Sequence, residues 1–119
     1  MPRNILIPTK TKISFVLPLS LQSELREKVI KDGYDMKSKS RWVAEAIEEL
    51  LVIGCYPDLV KLNDEMKGFE KLESVVVSHE LKKRLDEAII EVRKSYPSID
   101  GVQSRILRTA IVQRLLRCY

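Results

Sequence analysis

Histidine, cysteine and glycine are all scarce in this chain of 119 residues, and each scarcity closes off a class of chemistry. The one histidine, His79, has no cysteine or serine at a spacing that would pair a nucleophile with a base, and there is no GxSxG elbow. Four glycines, scattered along the chain, make no phosphate-cradling loop. Cys55 and Cys118 stand 63 positions apart and belong to no CxxC pair or Cys/His cluster, so they read as idle thiols and not as a zinc site or disulfide framework. With no catalytic apparatus in view, the expectation is a protein that is not an enzyme and takes no cofactor or metal. Long apolar runs are missing as well. Residues 75–77 and 50–53 fall far below the roughly 18 residues of a membrane span. The apolar run at 5–7, closed by Pro8, is too short for a secretory leader. A cytoplasmic protein without a membrane partner is expected.

What is present suits one folded unit. Hydrophobic residues make up 45% and charged residues 32%, enough to bury a core and too apolar for generic disorder. The net charge of +4 and pI of about 9.1 favour an anionic partner. Residues 1–51 carry nine Lys/Arg against seven Asp/Glu and residues 72–119 carry nine against six, whereas residues 52–71 carry three against four. The two basic segments flank a slightly acidic one.

Those basic segments repeat each other. Residues 17–25 match 77–85, with apolar side chains at the first, fifth and ninth places, at an offset of 60. Residues 40–47 match 104–111 at an offset of 64, so four extra residues enter the second copy between its helices. Each copy reads as strand, helix, loop, helix. Ile13, Phe15 and Leu17 alternate with Lys12, Ser14 and Val16, the period of a half-buried strand that Pro18 ends. Ser20 is the expected N-cap of a helix with Leu21, Leu25 and Val29 on one face, closed near Gly33. After a loop at 34–37, Ser38 is expected to cap a second helix striped by Trp42, Val43, Ala46, Ile47, Leu50 and Leu51. In the second copy Val75 and Val77 lie in a strand, and Leu81, Leu85, Ile89 and Val92 mark a helix. Asp100 and Gln103 have the spacing of a capping box ahead of Ile106, Leu107, Ala110, Ile111 and Leu115. The organisation is thus an arm at 1–9, a first repeat at 10–53, a linker at 54–71 with a short helix near 59–66, and a second repeat at 72–119.

A short strand alone cannot satisfy its backbone, so strands 12–17 and 72–77 are expected to pair antiparallel over four helices. Here the chain resembles the ribbon-helix-helix family of DNA-binding proteins. The resemblance is carried by the strand-then-turn with Leu21/Leu25 and Leu81/Leu85, and by Ser-Lys-Ser-Arg-Trp-Val-Ala-Glu-Ala-Ile at 38–47, echoed by Gln-Ser-Arg-Ile-Leu-Arg-Thr-Ala-Ile at 103–111. It covers most of residues 10–51 and 72–117, in a tandem single-chain form like that of plasmid conjugation proteins. It implies a mainly α fold with a two-stranded antiparallel ribbon, closed as a pseudo-dimer within one polypeptide.

The resemblance also implies double-stranded DNA as partner, with the ribbon in the major groove, where base edges are distinguishable. By alternation the outward residues are Lys12, Ser14 and Val16 on one strand and Leu72, Ser74 and Val76 on the other, with Ser14 facing Ser74, Lys12 facing Val76 and Val16 facing Leu72. Lys12 would donate to guanine, the serines would bond either way, and the aliphatic residues would meet thymine methyls. By the same resemblance the starts of the second helices, Ser38, Lys39 and Ser40 and then Val102, Gln103 and Ser104, would grip phosphate through backbone N–H groups. Arg3, Lys10, Lys37, Arg41 and Arg105 would add charge, and pseudo-dimers would associate with one another on DNA. Glu73 disturbs this register, because it falls inward opposite Phe15, where a carboxylate needs a partner. Either a basic side chain reaches it, the strand is bulged, or the second ribbon strand is shorter. The expected roles are transcriptional regulation or an accessory task on plasmid or mobile-element DNA, such as relaxosome assembly. A competing expectation is an antitoxin-like protein-binding module, which the three residues after Leu116 disfavour unless 54–71 wraps the partner. A third is a helical interaction module without DNA.

Overall fold

Period-two alternation in two stretches of the chain produces a ribbon, and the helices pack beneath it. The computed structural model describes residues 9–35, 38–62 and 70–117. Strands β1 (Lys10–Pro18) and β2 (Glu70–Ser78) form a two-stranded antiparallel sheet, each running slightly past the expected limits. Ser14 lies opposite Ser74, Lys12 opposite Val76, Val16 opposite Leu72 and Phe15 opposite Glu73, the register that the alternation predicts, with no displacement at Glu73. Ile13, Phe15, Leu17, Val75 and Val77 point into the core and are buried.

Helix α1 (Leu19–Lys31) follows β1 with no intervening residue. Its N-cap is Pro18, not Ser20: the proline ring holds φ at −58° with ψ at 144°, and the helix starts at once without a side-chain cap. Sixty residues on, Ser78 occupies the equivalent place and does cap α4 (His79–Ser95), its Oγ accepting from Leu81 N at 3.1 Å. Gly33, at φ +89°, takes the left-handed conformation that lets the chain turn after α1. Helix α2 (Lys39–Leu51) begins after Ser38, whose side chain makes no capping bond. Helix α5 (Val102–Leu116) begins after Gly101, at φ +60° and ψ 41°, so the expected Asp100–Gln103 capping box is not formed.

The linker holds α3 (Tyr56–Leu62), which starts earlier than expected; of the expected span, residues 63–66 lie outside those described. It is no mere tether, since Val60 is fully buried in the core and the helix packs on α4 and α5. Under the ribbon α2 packs chiefly on α5, and Trp42, Val43, Ile47 and Leu50 meet Ile106, Leu107 and Ile111 in one buried cluster. Burying each large side chain of this kind is worth about 1.5–3 kcal/mol. Among the described residues no helix is long and apolar enough to cross a membrane.

Candidate nucleic-acid interface

The ribbon's other face is bare. Lys12, Ser14, Leu72 and Val76 are exposed, Leu72 at 68% and Val76 at 44%, while Val16 and Ser74 are half-buried. Strand geometry places all six on one side, because residues two apart share a face.

A two-stranded ribbon has outer N–H and C=O groups with no third strand to meet them. Side chains from the starts of α2 and α5 do so here. Ser40 Oγ accepts from Val76 N at 2.9 Å, and Ser104 Oγ accepts from Val16 N at 3.1 Å. Gln103 Nε2 donates to Ser14 O at 2.8 Å. Each serine thus belongs to one repeat and fastens the strand of the other. The consequence is positional: the first turn of α2 sits against the β2 edge and the first turn of α5 against the β1 edge. Backbone N–H groups in a first helical turn lack intrahelical partners and carry the positive end of the helix dipole. Both serine hydroxyls accept in these bonds and keep a proton to donate.

Of the residues singled out in the first repeat, Lys10, Ser38, Ser40 and Arg41 come together with Val76 along one open groove of about 690 Å³. Lys10 and Arg41 are exposed there, Arg41 lying 5.1 Å from the Tyr34 ring centre and 3.6 Å from Glu45. The Lys39 side chain turns inward instead, and its Nζ lies 2.6 Å from Glu73 Oε1. Gln22 Nε2 also donates to Glu73. This trio resolves the inward carboxylate: a basic side chain reaches it, with neither a bulge nor a shortened strand. In the second repeat the Val102 side chain is buried, and Arg105 Nε donates to Asp100 O at 2.7 Å. Arg3 and Lys37 lie outside the described residues.

Sequence reasoning missed the side chains that hold this frame. The inward parity of Glu73 signalled the need for a partner but not which residues, Gln22 and Lys39, supply it, and nothing signalled Arg114. Its guanidinium lies 4.7 Å from the Trp42 ring centre and donates to Trp42 O at 2.6 Å and to Glu45 Oε1 at 3.2 Å. Trp42 Nε1 in turn donates to Asp32 Oδ2 at 2.8 Å, and Tyr34 donates to Glu45. Partial burial pushes the Glu45 carboxyl upward, yet the bonds from Tyr34 and Arg114 and the charges of Arg114 and Arg41 outweigh it and hold the carboxyl below its ordinary value of 4.5. These contacts tie α2 to α5 and the end of α1, and so fix the helix starts beside the ribbon.

No protein-family model, curated protein or solved structure matches the chain. Among the described residues no cluster of histidine, cysteine or carboxylate side chains has the makings of a metal site.

Proposed function

We propose that this protein is a sequence-specific binder of double-stranded DNA, built as a tandem ribbon-helix-helix pseudo-dimer that inserts its β-ribbon in the major groove. One observation carries the reading: an uncovered ribbon face is framed at both edges by helix starts, each fastened by its own serine to the strand of the opposite repeat. B-DNA's major groove admits a two-stranded ribbon, and phosphates on its two rims would meet the free amides of α2 and α5. Lys12, Ser14, Val16, Leu72, Ser74 and Val76 then face base edges. The first turns of α2 and α5, with Lys10, Arg41 and Arg105 near them, face the backbone. The net charge of +4 supports an anionic partner. The role is regulation of transcription or an accessory function in conjugation or on other mobile DNA, since one interface serves either. Against an antitoxin-like role, Val60 is committed to the chain's own core, so α3 is not a free wrapping segment.

A mobility-shift titration against duplex DNA over a range of salt concentrations tests this. Neutralising roughly six phosphates should give a log–log slope of about −5. A slope near zero would remove the DNA reading. Lys12→Ala should lower discrimination between specific and nonspecific duplexes by about 1–3 kcal/mol.

A further inference from the structure

A step of 60 residues carries one outward strand face onto the other: 12 onto 72, 14 onto 74 and 16 onto 76. The pairing has the same form, because Ser14 lies opposite Ser74 while 12 pairs with 76 and 16 with 72. Any two-fold relation between the strands therefore passes through the central serine pair. On that face Ser14 is matched by Ser74 and Val16 by Val76. Among these six residues Lys12 and Leu72 alone break the match, and they lie toward opposite ends of the ribbon.

Resting on the DNA reading above, we propose that the protein recognises a palindromic site broken at one outer base pair, with G·C in the half met by Lys12 and T·A in the half met by Leu72. An ammonium group donates and never accepts, so Lys12 selects the base edge that offers two neighbouring acceptors, guanine O6 and N7. Leu72 does neither. Facing cytosine N4 or guanine O6 it would exclude water and leave that group without a bond, whereas a thymine methyl covers it. At 68% exposure Leu72 is a large aliphatic side chain held in water on a face that otherwise ends in serine, valine and lysine, and contact with a methyl group removes that exposure. The serine pair and the equivalent valines, Val16 and Val76, present the same chemical groups to both halves, so the rest of the site met by these six residues is symmetric. A site with unlike ends fixes the direction in which the protein lies on the duplex.

Selection of bound duplexes from a random-sequence library tests this with the full chain and with Leu72→Lys and Lys12→Leu. The unmodified protein should enrich sites whose two halves mirror each other except at one outer position, G·C in one half and T·A in the other. Leu72→Lys should enrich G·C at both ends and Lys12→Leu T·A at both. In titrations with the unmodified protein, replacing the G·C pair by T·A should weaken binding about ten- to a hundred-fold. Both substituted positions are exposed, so thermal unfolding should be unchanged, and each variant checks the other. If no duplex is enriched, the DNA reading falls and this inference with it. Enriched sites that are symmetric at both ends, or an outer base indifferent to both substitutions, would leave the DNA reading standing and overturn the inference.

Discussion

The two halves beneath the ribbon solve one problem with different chemistry. On β1 the inward position two residues before Phe15 is Ile13, 1% exposed and in need of no partner; sixty residues later on β2 it is Glu73, 9% exposed and held by Lys39 and Gln22. The counterparts of Lys39 and Gln22 are Gln103 and Lys82, and with no carboxylate to serve they go elsewhere. Gln103 donates to Ser14 O, and Lys82 pairs with Asp86 on its own helix. One layer down, Trp42 is matched by Ile106, and Leu50 by Arg114, whose guanidinium lies against the Trp42 ring. The difference teaches that positions change in compensated sets. A buried charge survives where all of its partners are supplied, and the set spans both repeats, because Glu73 comes from one and Lys39 and Gln22 from the other.

Substitutions that exchange one half's solution for the other's test this directly. Trp42→Ala should have the largest effect, about 4 kcal/mol, since it empties a fully buried site and strips the Arg114 guanidinium of its ring. Ile106→Ala, at the matching position, should cost about 3 kcal/mol. Urea unfolding followed by far-UV circular dichroism compares them, and an equal or larger loss at Ile106 would contradict the ordering. Next, Lys39→Ala should cost about 2–3 kcal/mol, because it leaves the Glu73 carboxylate buried beside Gln22 alone. Converting the whole trio to its counterpart by Gln22→Lys, Lys39→Gln and Glu73→Ile should recover most of that loss. If the triple change is as destabilising as Lys39→Ala, the sets are not interchangeable.

Smaller effects follow at the ribbon edges. Ser104→Ala should cost about 1 kcal/mol, and Ser40→Ala less, because the bond to Val16 is partly buried and the bond to Val76 is exposed. Amide exchange should quicken at Val16 in the first variant and at Val76 in the second; faster exchange at the other strand's amide would contradict the crossed attachment. The smallest effect is acid sensitivity confined to the Trp42 half. With the Glu45 carboxyl held below 4.5 in the folded state, its contribution is present above that value and is lost as pH falls through the folded one. Its counterpart is Thr109, which does not titrate there. The urea midpoint read from Trp42 emission should fall on acidification, and Glu45→Gln should flatten that fall.

Pairing of the strands was legible because alternation has a period of two and tolerates no slip once one face is buried. It specified the cross-strand neighbours of Lys12, Ser14, Phe15 and Val16, the inward parity of Glu73 included. What answers Glu73 was not legible, since Gln22 and Lys39 are 51 and 34 positions away and meet it only through the fold. Helix starts were read less well for a local reason. Serine and the Asp-x-x-Gln spacing are good capping signals in isolation, but Pro18 caps α1 two residues before Ser20, and Gln103 is drawn off to the ribbon edge. Of the candidate interface, the outward face followed from parity, whereas the crossed serine bonds came from packing that no local pattern encodes.

Both strands of the ribbon lie on one polypeptide, and this sets the kinetics of its assembly. A ribbon made from two separate chains forms in a second-order step and dissolves on dilution, so its population depends on how much protein is present. Here closure is first-order: the partner strand arrives with the same chain, at a local concentration that dilution leaves untouched. The fraction of molecules with a formed ribbon is therefore the same for a few copies as for a crowded solution.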